Sequence, residues 1–351
     1  MNITGLAGII KTILLLLFIP KLYYFYPVPA HREAAFIHPG YENRVAVLMY
    51  HHISNTEHGP AVITPRLFRA QLDILKKEGY HVISSERLAR FLSGKDTVPP
   101  RAVVITFDDG YESFYTCAYP ELKKRNMQAT CFVIVKSIEN TKATGNKNKL
   151  ASRPAWKQIP KVTWAQMREM QAHGMSFYPH SYDSHYLARV SPGVPASRHM
   201  KPALAGPIWL DEQNRRETQA EYEARVKEDL LKAKEVMEIN LGRPVDQLCW
   251  PYGVDSPAAL RIARSLGYKY FYYTGRGIND SSIRDGRIRR INAGNPHVTP
   301  EVLIRQIEKF SLLDEVQQNC RPFIPLDPVI MVPFFVTLDY YLSPGPEIQP
   351  L

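Results

Sequence analysis

Apolar runs and amphipathic segments alternate along the chain from about Val45 onward. The strand-like runs are short and rich in β-branched or aromatic residues, and they cover 45–53, 80–84, 102–107, 129–134, 174–178, a run ending at 250, and 268–273. Helical patterns lie between them, the longest at 221–239. Because strands that alternate with helices form parallel sheets, the pattern predicts an α/β fold whose sheet is closed or nearly closed into a barrel.

Two stretches interrupt this alternation and are predicted to be long loops. Residues 141–161 are basic and rich in Asn and Lys, and residues 190–216 carry several prolines and glycines. Long loops in compact domains are usually either functional or disordered. Both leave strand ends on the predicted active face, so they could wall a groove for a polymer. The alternative is a mobile surface insertion, and it applies more to the first loop than to the second.

Two adjacent acidic residues, Asp108 and Asp109, follow the apolar strand 102–107 and precede Gly110. Side chains on an extended strand alternate between two faces, so neighbouring carboxylates serve one site only if the chain turns there. Gly110 permits such a tight exit. Both acids would then lie at the carboxyl end of a buried parallel strand, where barrels and open α/β sheets build their active sites. A polar turn that caps the next helix is the alternative.

A pair of histidines, His180 and His185, follows the apolar run 174–178. One carboxylate and two imidazoles can hold a divalent metal and leave a position for water, whose pKa falls from 15.7 to about 7. Only one aspartate is needed for this purpose. We therefore predict Asp109, His180 and His185 as metal ligands and Asp108 as the general base on the water. A surface loop is the alternative explanation of the histidine pair.

At these residues the chain resembles the NodB-like polysaccharide deacetylases, carbohydrate esterase family four. Their first motif is Thr-Phe-Asp-Asp-Gly, present here at 106–110, and their second carries two metal-binding histidines. Four residues separate His180 from His185, which resembles the spacing in the poly-N-acetylglucosamine de-N-acetylase branch. Many chitin and peptidoglycan deacetylases have three residues between these histidines. The resemblance runs from about Val45 to Phe310 and implies a distorted, partly open (β/α) barrel.

By position, the resemblance implies roles for further residues. The run 249–253 matches the third motif of the family, in which Tyr252 would offer its backbone N–H to the oxyanion, and Trp250 and Pro251 would shape the acetyl pocket. A fixed amide donor aimed at developing charge lowers a barrier by about 3 kcal/mol. An ordinary strand-ending turn is the alternative. In the first strand His51 would line the sugar site, with a structural histidine bonded to a backbone carbonyl as the alternative.

Two motifs of the family have no clear match. The fourth, an Asp and Trp pair that orients the base, has no clear counterpart in 271–277, which leaves the tuning of Asp108 open. The fifth supplies a histidine general acid, and His297 is the candidate, with a loop histidine before a helix start as the alternative. Without an acid we expect slow turnover, because a positioned acid contributes typically about 10²-fold or more.

The length of 351 residues and the 45% apolar content suffice for one barrel with extensions. We predict a signal or membrane anchor at 1–30, a linker at 31–44, the catalytic domain at 45–319 and a C-terminal extension at 320–351. The run 12–19 fits the apolar core of a signal, but the cleavage site is poor and the cluster 23–26 resembles an aromatic interface belt. An uncleaved anchor is therefore preferred, and a buried N-terminal helix is the alternative.

The net charge of +10, with a pI near 9.3, indicates an anionic neighbour such as a membrane surface or a cell-wall polymer. Nucleic acid is not predicted as a partner, because no basic helix interleaved with aromatics or other nucleic-acid motif is present. The four cysteines are too few and too widely spaced for a disulfide scaffold. Cys131 and Cys249 are expected to be small buried apolar residues.

These features predict a metal-dependent hydrolase that removes N-acetyl groups from an extracellular N-acetylglucosamine polymer and releases acetate. We expect a monomer, secreted or at the outer face of a bacterial membrane. Zinc is the expected metal, although iron, cobalt or nickel also suit two histidines and one carboxylate. The alternatives are a peptidoglycan or chitin-oligomer deacetylase, a catalytically weak carbohydrate-binding homologue, and a membrane-tethered interaction protein.

Overall fold

The computed structural model of the protein describes residues 42–143, 159–192 and 200–319. The strands in these ranges are β1 (Arg44–Tyr50), β2 (His52–Ile53), β3 (Val62–Ile63), β4 (His81–Val82), β5 (Ala102–Phe107), β6 (Thr130–Ile134), β7 (Ser176–Ser181), β8 (Leu187–Arg189), β9 (Met200–Pro202), β10 (Trp209–Leu210), β11 (Arg215–Arg216), β12 (Gln247–Cys249), β13 (Tyr270–Tyr272), β14 (Asn279–Asp280), β15 (Arg287–Ile288) and β16 (Ile291–Asn292). The α-helices are α1 (Pro65–Lys77), α2 (Ser85–Leu92), α3 (Tyr119–Lys124), α4 (Val135–Ala143), α5 (Trp164–Ala172), α6 (Gln219–Leu241), α7 (Pro257–Ser265) and α8 (Pro300–Asn319).

The main sheet is built around β1 and β5, which pair in parallel from Val45 opposite Ala102 to Tyr50 opposite Phe107. Its strand order is β14-β1-β5-β6-β7, with β16 also paired to β1 and β4 to β5. All six residues of β5 and the last six of β1 are buried. Near-continuous burial is typical of parallel strands covered on both faces, so these strands form the centre of the core.

A second, parallel sheet has the order β12-β13-β15. It continues the wall of the barrel, because β12 packs against β7. In the described ranges no hydrogen-bonded ladder joins β7 to β12, so the wall is open at this seam. The predicted α/β class and the partly open barrel are both observed.

Local capping signals explain where the long helix α6 begins and ends. The Thr218 side chain accepts the Glu221 N–H, and the Glu221 carboxylate accepts the Thr218 N–H, which forms a capping box. Gly242 follows the last turn with a φ of 65°. The helix therefore begins two residues before the predicted start at Glu221, because that residue is the third of the first turn rather than the first.

The second predicted loop, 190–216, contains regular structure. It carries β9 and a short hairpin of β10 and β11, and β9 pairs with β8, which follows the histidine segment. Strands of two or three residues are too short to give a period that a sequence pattern can reveal. Residues 144–158, in the first predicted loop, and 193–199 lie outside the described residues.

The predicted anchor at 1–30, most of the linker and the extension at 320–351 also lie outside the described residues. Within the described ranges, no helix combines the length and the hydropathy that crossing a bilayer requires. Cys117, Cys131 and Cys249 carry free thiols, and the latter two are buried as expected. Cys320 is not among the described residues.

A buried amide joins helix α1 to the end of β1. Gln71 is fully buried, and its Oε1 accepts the Tyr50 hydroxyl at 2.8 Å. Its Nε2 donates to the carbonyl oxygens of Ala293 and Val298 at 3.0 and 2.8 Å. This one side chain therefore satisfies a hydroxyl and two carbonyls, and it attaches α1 to the segment between β16 and α8.

Replacing this amide should destabilise the fold measurably. We expect Gln71→Met to lower the free energy of unfolding by about 3 kcal/mol or more, because three buried polar groups lose their partner. Denaturant unfolding monitored by circular dichroism measures this change. Gln219→Met is the control, since Gln219 is exposed and should change the stability by about 0.5 kcal/mol at most. Equal stabilities of the two variants would contradict the account of Gln71.

Candidate metal centre

The residues predicted for the site lie where parallel strands end. The Asp108 N–H donates to the Tyr50 carbonyl oxygen at 2.9 Å, which joins the ends of β5 and β1. His180 lies in β7, and its Nδ1 is 2.8 Å from the carbonyl oxygen of Cys249 at the end of β12. This hydrogen bond crosses the seam of the barrel. Segments more than fifty residues apart in sequence therefore meet at one edge.

The predicted turn at the acidic pair is present. Asp109 and Gly110 both adopt the left-handed conformation, with φ of 69° and 66°. Aspartate tolerates this conformation as a single residue. A Cβ on Gly110 would lie 2.9 Å from Cγ1 of Val133, so close packing as well as backbone conformation requires glycine there. The turn brings both carboxyl groups, each buried, to the same end of β5.

The carboxylate of Asp109 and the imidazoles of His180 and His185 face one another. Asp109 Oδ1 lies 3.7 Å from His180 Nε2 and 3.4 Å from His185 Nε2. One ligand atom from each residue lies within 4.8 Å of the other two. Asp109 Oδ1 is buried and has no hydrogen-bond partner, although a buried polar atom normally has one. The three predicted ligands are thus brought together around an unsatisfied acceptor.

The protonation of His180 shows that this arrangement fits a cation. Its Nδ1 must donate, because the Cys249 carbonyl oxygen can only accept. Burial lowers the pKa of His180 to about 4, which keeps the ring neutral and leaves a lone pair on Nε2. A lone pair facing a carboxylate oxygen is unfavourable without positive charge between them. The donor set therefore fits a divalent metal with two imidazoles and one carboxylate.

The Asp109 carboxyl is ionised at neutral pH, as a ligand must be. Burial alone would raise its pKa, but His185 and Lys161 outweigh burial and hold the pKa well below its ordinary value. Lys161 donates from Nζ to the backbone oxygen of Asp109 at 2.9 Å, and Nζ lies 3.5 Å from the ring centroid of Tyr111. Sequence reasoning missed this lysine, because it ends a stretch that was predicted as a basic loop.

Asp108 has a different partner, the guanidinium of Arg290. Two parallel hydrogen bonds of 2.7 and 2.8 Å join Nη1 and Nη2 of Arg290 to the two carboxylate oxygens. The Arg290 side chain is fully buried, and its Nε donates to the carbonyl oxygen of Tyr273 at 3.0 Å. Burial would raise the pKa of Asp108, but Arg290 and His180 outweigh it and lower the pKa. Asp108 is therefore held ionised without taking part in the three-ligand cluster.

Arg290 was not predicted from the sequence, which left the tuning of Asp108 open. It follows β15 and precedes β16, between the buried residues Ile288 and Ile291. Two consecutive arginines, Arg289 and Arg290, stand between these isoleucines, which was the available signal. The sequence does not show which of the two is buried, and in the structure Arg289 is exposed.

Cys249 lies beside this ion pair and gives a second set of possible ligands with Asp108 and His180. Its Sγ is 3.1 Å from Arg290 Nη2 and 3.7 Å from Asp108 Oδ1. Burial raises the pKa of the Cys249 thiol well above its ordinary value, so the thiolate that a metal requires is disfavoured. Because Arg290 also occupies both oxygens of Asp108, the cluster of Asp109, His180 and His185 is the better metal site.

The segment after β12 places Tyr252 next to the cluster. Tyr252 has a φ of 58°, and its ring stacks on that of His185 with centroids 4.7 Å apart. The Tyr252 side chain is 41% exposed. Trp250, in contrast, has no exposed surface and stacks on Phe271, and Pro251 is also buried. Trp250 therefore belongs to the core, and any effect on a substrate pocket must be indirect.

The two histidines after β1 have different surroundings. His51 Nε2 lies 3.8 Å from Asp108 Oδ2, and its buried Nδ1 has no hydrogen-bond partner, so the alternative of a backbone carbonyl partner is not observed. His52 is buried and packs against its neighbours instead, since its Nδ1 lies 2.9 Å from Ser113 Oγ. His51 thus lies beside the predicted base.

The predicted general acid His297 has no described contact with the cluster. Its side chain is exposed, and its backbone N–H donates to Asn295 Oδ1 at 2.9 Å. The contacts of the described residues include none between the His297 ring and Asp108, Asp109, His180 or His185.

Comparison with known proteins agrees with the fold. A family model described as polysaccharide deacetylase matches residues 95–271, which is half of the chain. A relative from Escherichia coli named poly-beta-1,6-N-acetyl-D-glucosamine N-deacetylase is 26% identical over 274 residues, covering 76% of this chain and 39% of the relative. A second Escherichia coli relative of the same name is 28% identical over 231 residues, and this chain covers 33% of that relative. The chain thus spans well under half the length of these relatives.

Solved structures show the same architecture. The structure of a de-N-acetylase from Aggregatibacter actinomycetemcomitans aligns with a TM-score of 0.63 and 25% identity, over 75% of this chain and all of that one. The BpsB deacetylase domain from Bordetella bronchiseptica aligns with a TM-score of 0.60 and 26% identity, over 71% of this chain and 95% of that domain. The predicted NodB-like, partly open barrel is confirmed.

The buried pair of Asp108 and Arg290 gives a test by double substitution. We expect Arg290→Met to lower the free energy of unfolding by about 3–5 kcal/mol, because it leaves a buried carboxylate unpaired. The double variant Asp108→Leu, Arg290→Met should lose less, since neither charge remains. Denaturant unfolding of both variants measures the difference. Exposed Arg284→Met is the control, with an expected change of about 0.5 kcal/mol at most. A double variant as unstable as the single one would contradict this pairing.

Proposed function

Because the chain belongs to the polysaccharide deacetylase family, we propose that it is a metal-dependent hydrolase that removes N-acetyl groups from an N-acetylglucosamine polymer and releases acetate. The observation that carries the proposal is that two adjacent carboxylates have different partners. Asp109 faces two imidazoles, and Asp108 is paired with Arg290. A hydrolytic centre needs both a ligand and an unligated base, whereas a carbohydrate-binding scaffold needs neither.

The proposed substrate is a β-1,6-linked N-acetylglucosamine polymer. The two Escherichia coli relatives are named poly-beta-1,6-N-acetyl-D-glucosamine N-deacetylase, which supports this choice. Peptidoglycan and chitin oligomers carry the same acetamide group and are the alternatives. They differ in the shape of the chain that a groove must accept, so direct comparison of the three substrates distinguishes them.

Asp109, His180 and His185 would hold the metal in this proposal. Zinc is the proposed ion, because two imidazoles and one carboxylate are typical ligands of catalytic zinc and leave a position for water. Iron, cobalt and nickel suit the same donors. When bound, a divalent metal lowers the pKa of its water and polarises the acetamide carbonyl. The Cys249 carbonyl orients His180 by accepting from its Nδ1, and this orients Nε2 toward Asp109.

Asp108 is proposed as the general base. Arg290 keeps its carboxylate ionised, so it can accept a proton from the water that attacks the acetamide carbon. As the carbon–nitrogen bond breaks, the leaving nitrogen takes up a proton, and acetate and a free amine are formed. The backbone N–H of Tyr252 is proposed to donate to the developing oxyanion, a contribution of about 3 kcal/mol where such a donor is well placed.

A group close to Asp108 must donate a proton to the leaving amine. His51 fits this role by position, because its Nε2 lies 3.8 Å from Asp108 Oδ2 and its side chain is partly exposed. His297 stays a prediction, since its exposed ring has no described contact with the site. Protonated Asp108 can itself return the proton, in which case one carboxyl group serves first as base and then as acid.

We also propose that the protein acts outside the membrane of a bacterium, as a monomer near an anionic surface. This proposal rests on the apolar run 12–19 and the net charge of +10. Mass spectrometry of the mature N-terminus tests whether the apolar run is retained as an anchor.

Metal removal tests the activity and its substrate together. After chelation, we expect acetate release from poly-N-acetylglucosamine to fall to background and to return when zinc is added. Chitin oligomers and peptidoglycan, assayed under the same conditions, should release acetate more slowly. Full acetate release by the chelated, metal-free protein would contradict metal dependence, and faster release from peptidoglycan would contradict the proposed polymer.

Two substitutions separate the roles of the adjacent aspartates. Asp108→Asn should lower kcat by about 10²- to 10⁴-fold, because the base is lost, while zinc binding is retained. Asp109→Asn should lose zinc at concentrations that saturate the wild-type protein, because one of its three ligands is weakened. Acetate release and zinc content, measured on the same preparations, check both expectations. An active Asp108→Asn variant would exclude Asp108 as the base.

A further inference from the structure

The short segment between the two histidine ligands converges on one buried acid. Asp229, on helix α6, accepts the Tyr182 N–H at 2.9 Å through Oδ2. Its Oδ1 accepts the Asp183 N–H at 2.9 Å and the Ser184 hydroxyl at 2.7 Å. Asp229 is 8% exposed and Ser184 is 5% exposed. Three consecutive residues of the segment thus donate to one carboxylate.

The position of this segment explains why it needs such an acceptor. It leaves β7 after Ser181 and returns with His185 beside His180, with ring centroids 4.7 Å apart. Its amides therefore leave the strand ladder and need other acceptors, and those of Tyr182 and Asp183 donate to Asp229. A carboxylate is the strongest side-chain acceptor, since hydrogen bonds to an ionised group are roughly twice as strong as neutral ones.

Lys136 makes two further contacts with the segment, and its side chain is more exposed. The Lys136 N–H donates to the Tyr182 carbonyl oxygen at 2.9 Å, and the Lys136 ammonium pairs with Asp183. Both side chains of that ion pair are about half exposed, at 45% and 55%, so the pair contributes little to stability. Asp229, in contrast, is a buried acceptor of two amides and one hydroxyl of the segment.

We propose that Asp229 is a positioning residue that holds Tyr182, Asp183 and Ser184 so that His185 lies within reach of the metal bound by His180 and Asp109. The inference rests on the proposed function, because it requires that these three residues bind a metal. Asp229 acts through the segment and does not touch the ligand atoms. Outer-shell partners of this kind typically change metal affinity when they are removed.

Zinc affinity of the full chain, measured by competition with a chromophoric chelator, tests the proposal without an activity assay. Asp229→Asn keeps the size of the side chain but places an amide N–H against a backbone N–H donor. We expect it to weaken zinc binding by about 10- to 100-fold. Ser184→Ala removes one of the three donors and leaves the acid in place, so it should weaken zinc binding by a smaller factor.

Glu238→Gln is the matched control on the same helix. Glu238 also accepts a backbone N–H, that of Val245 at 2.8 Å, but it does not contact the histidine segment. It should leave zinc affinity unchanged even if it lowers the thermal midpoint of the metal-free protein. A structural role alone would lower the midpoint of Asp229→Asn and leave its zinc affinity equal to that of the wild type.

The outcomes separate this inference from the proposed function. Unchanged zinc affinity in Asp229→Asn, with wild-type protein that binds zinc, would overturn the positioning role and leave the proposed function intact. Wild-type protein that takes up no divalent metal would overturn the proposed function and the inference with it. If Asp229→Asn does not fold, Ser184→Ala decides, and wild-type affinity in that variant would count against the proposal.

Discussion

Two carboxylates on consecutive residues are buried at the end of one strand, and each needs a positive partner of its own. A buried carboxylate without compensation costs several kcal/mol, so Asp108 and Asp109 could not both be ionised there without such partners. The left-handed turn at Asp109 separates the two side chains. Asp108 is paired with Arg290, whereas Asp109 lies near the Lys161 ammonium and faces two imidazoles with which it would hold a divalent cation. The difference in partners gives adjacent and identical side chains different chemistry.

The openness of the barrel contributes to this arrangement. At the seam between β7 and β12, the carbonyl oxygen of Cys249 accepts from the ring of His180. The hydrogen bond determines which nitrogen of His180 carries the proton, and thereby leaves Nε2 directed at Asp109. A fully closed barrel would pair the strands at this seam through their backbones. The partly open wall therefore allows a strand end to orient a ligand.

The sequence predicted the parts of the site that local patterns encode. Asp108, Asp109, His180 and His185 each follow an apolar run, and the carboxyl ends of parallel strands meet at one edge of a sheet. Arg290 could not be found in this way, because only the pairing of β13 with β15 and of β1 with β16 decides which nearby arginine is buried. Trp250 shows the same limit, since an aromatic residue at a strand end can face the site or the core, and here it stacks on Phe271.

The buried acid of helix α6 extends this argument from charge to chain conformation. The segment from Tyr182 to Ser184 leaves the ladder of β7, and its donors converge on Asp229. On helix α6 Asp229 falls on the same buried face as Val226 and Ala233, which was a local signal of its burial. The groups that it accepts from depend on which segment packs against that turn, and the sequence pattern does not show this. The segment between the two histidines and the acid on α6 thus form one hydrogen-bonded unit, because its two amides and one hydroxyl donate to a carboxylate that a neighbouring helix supplies.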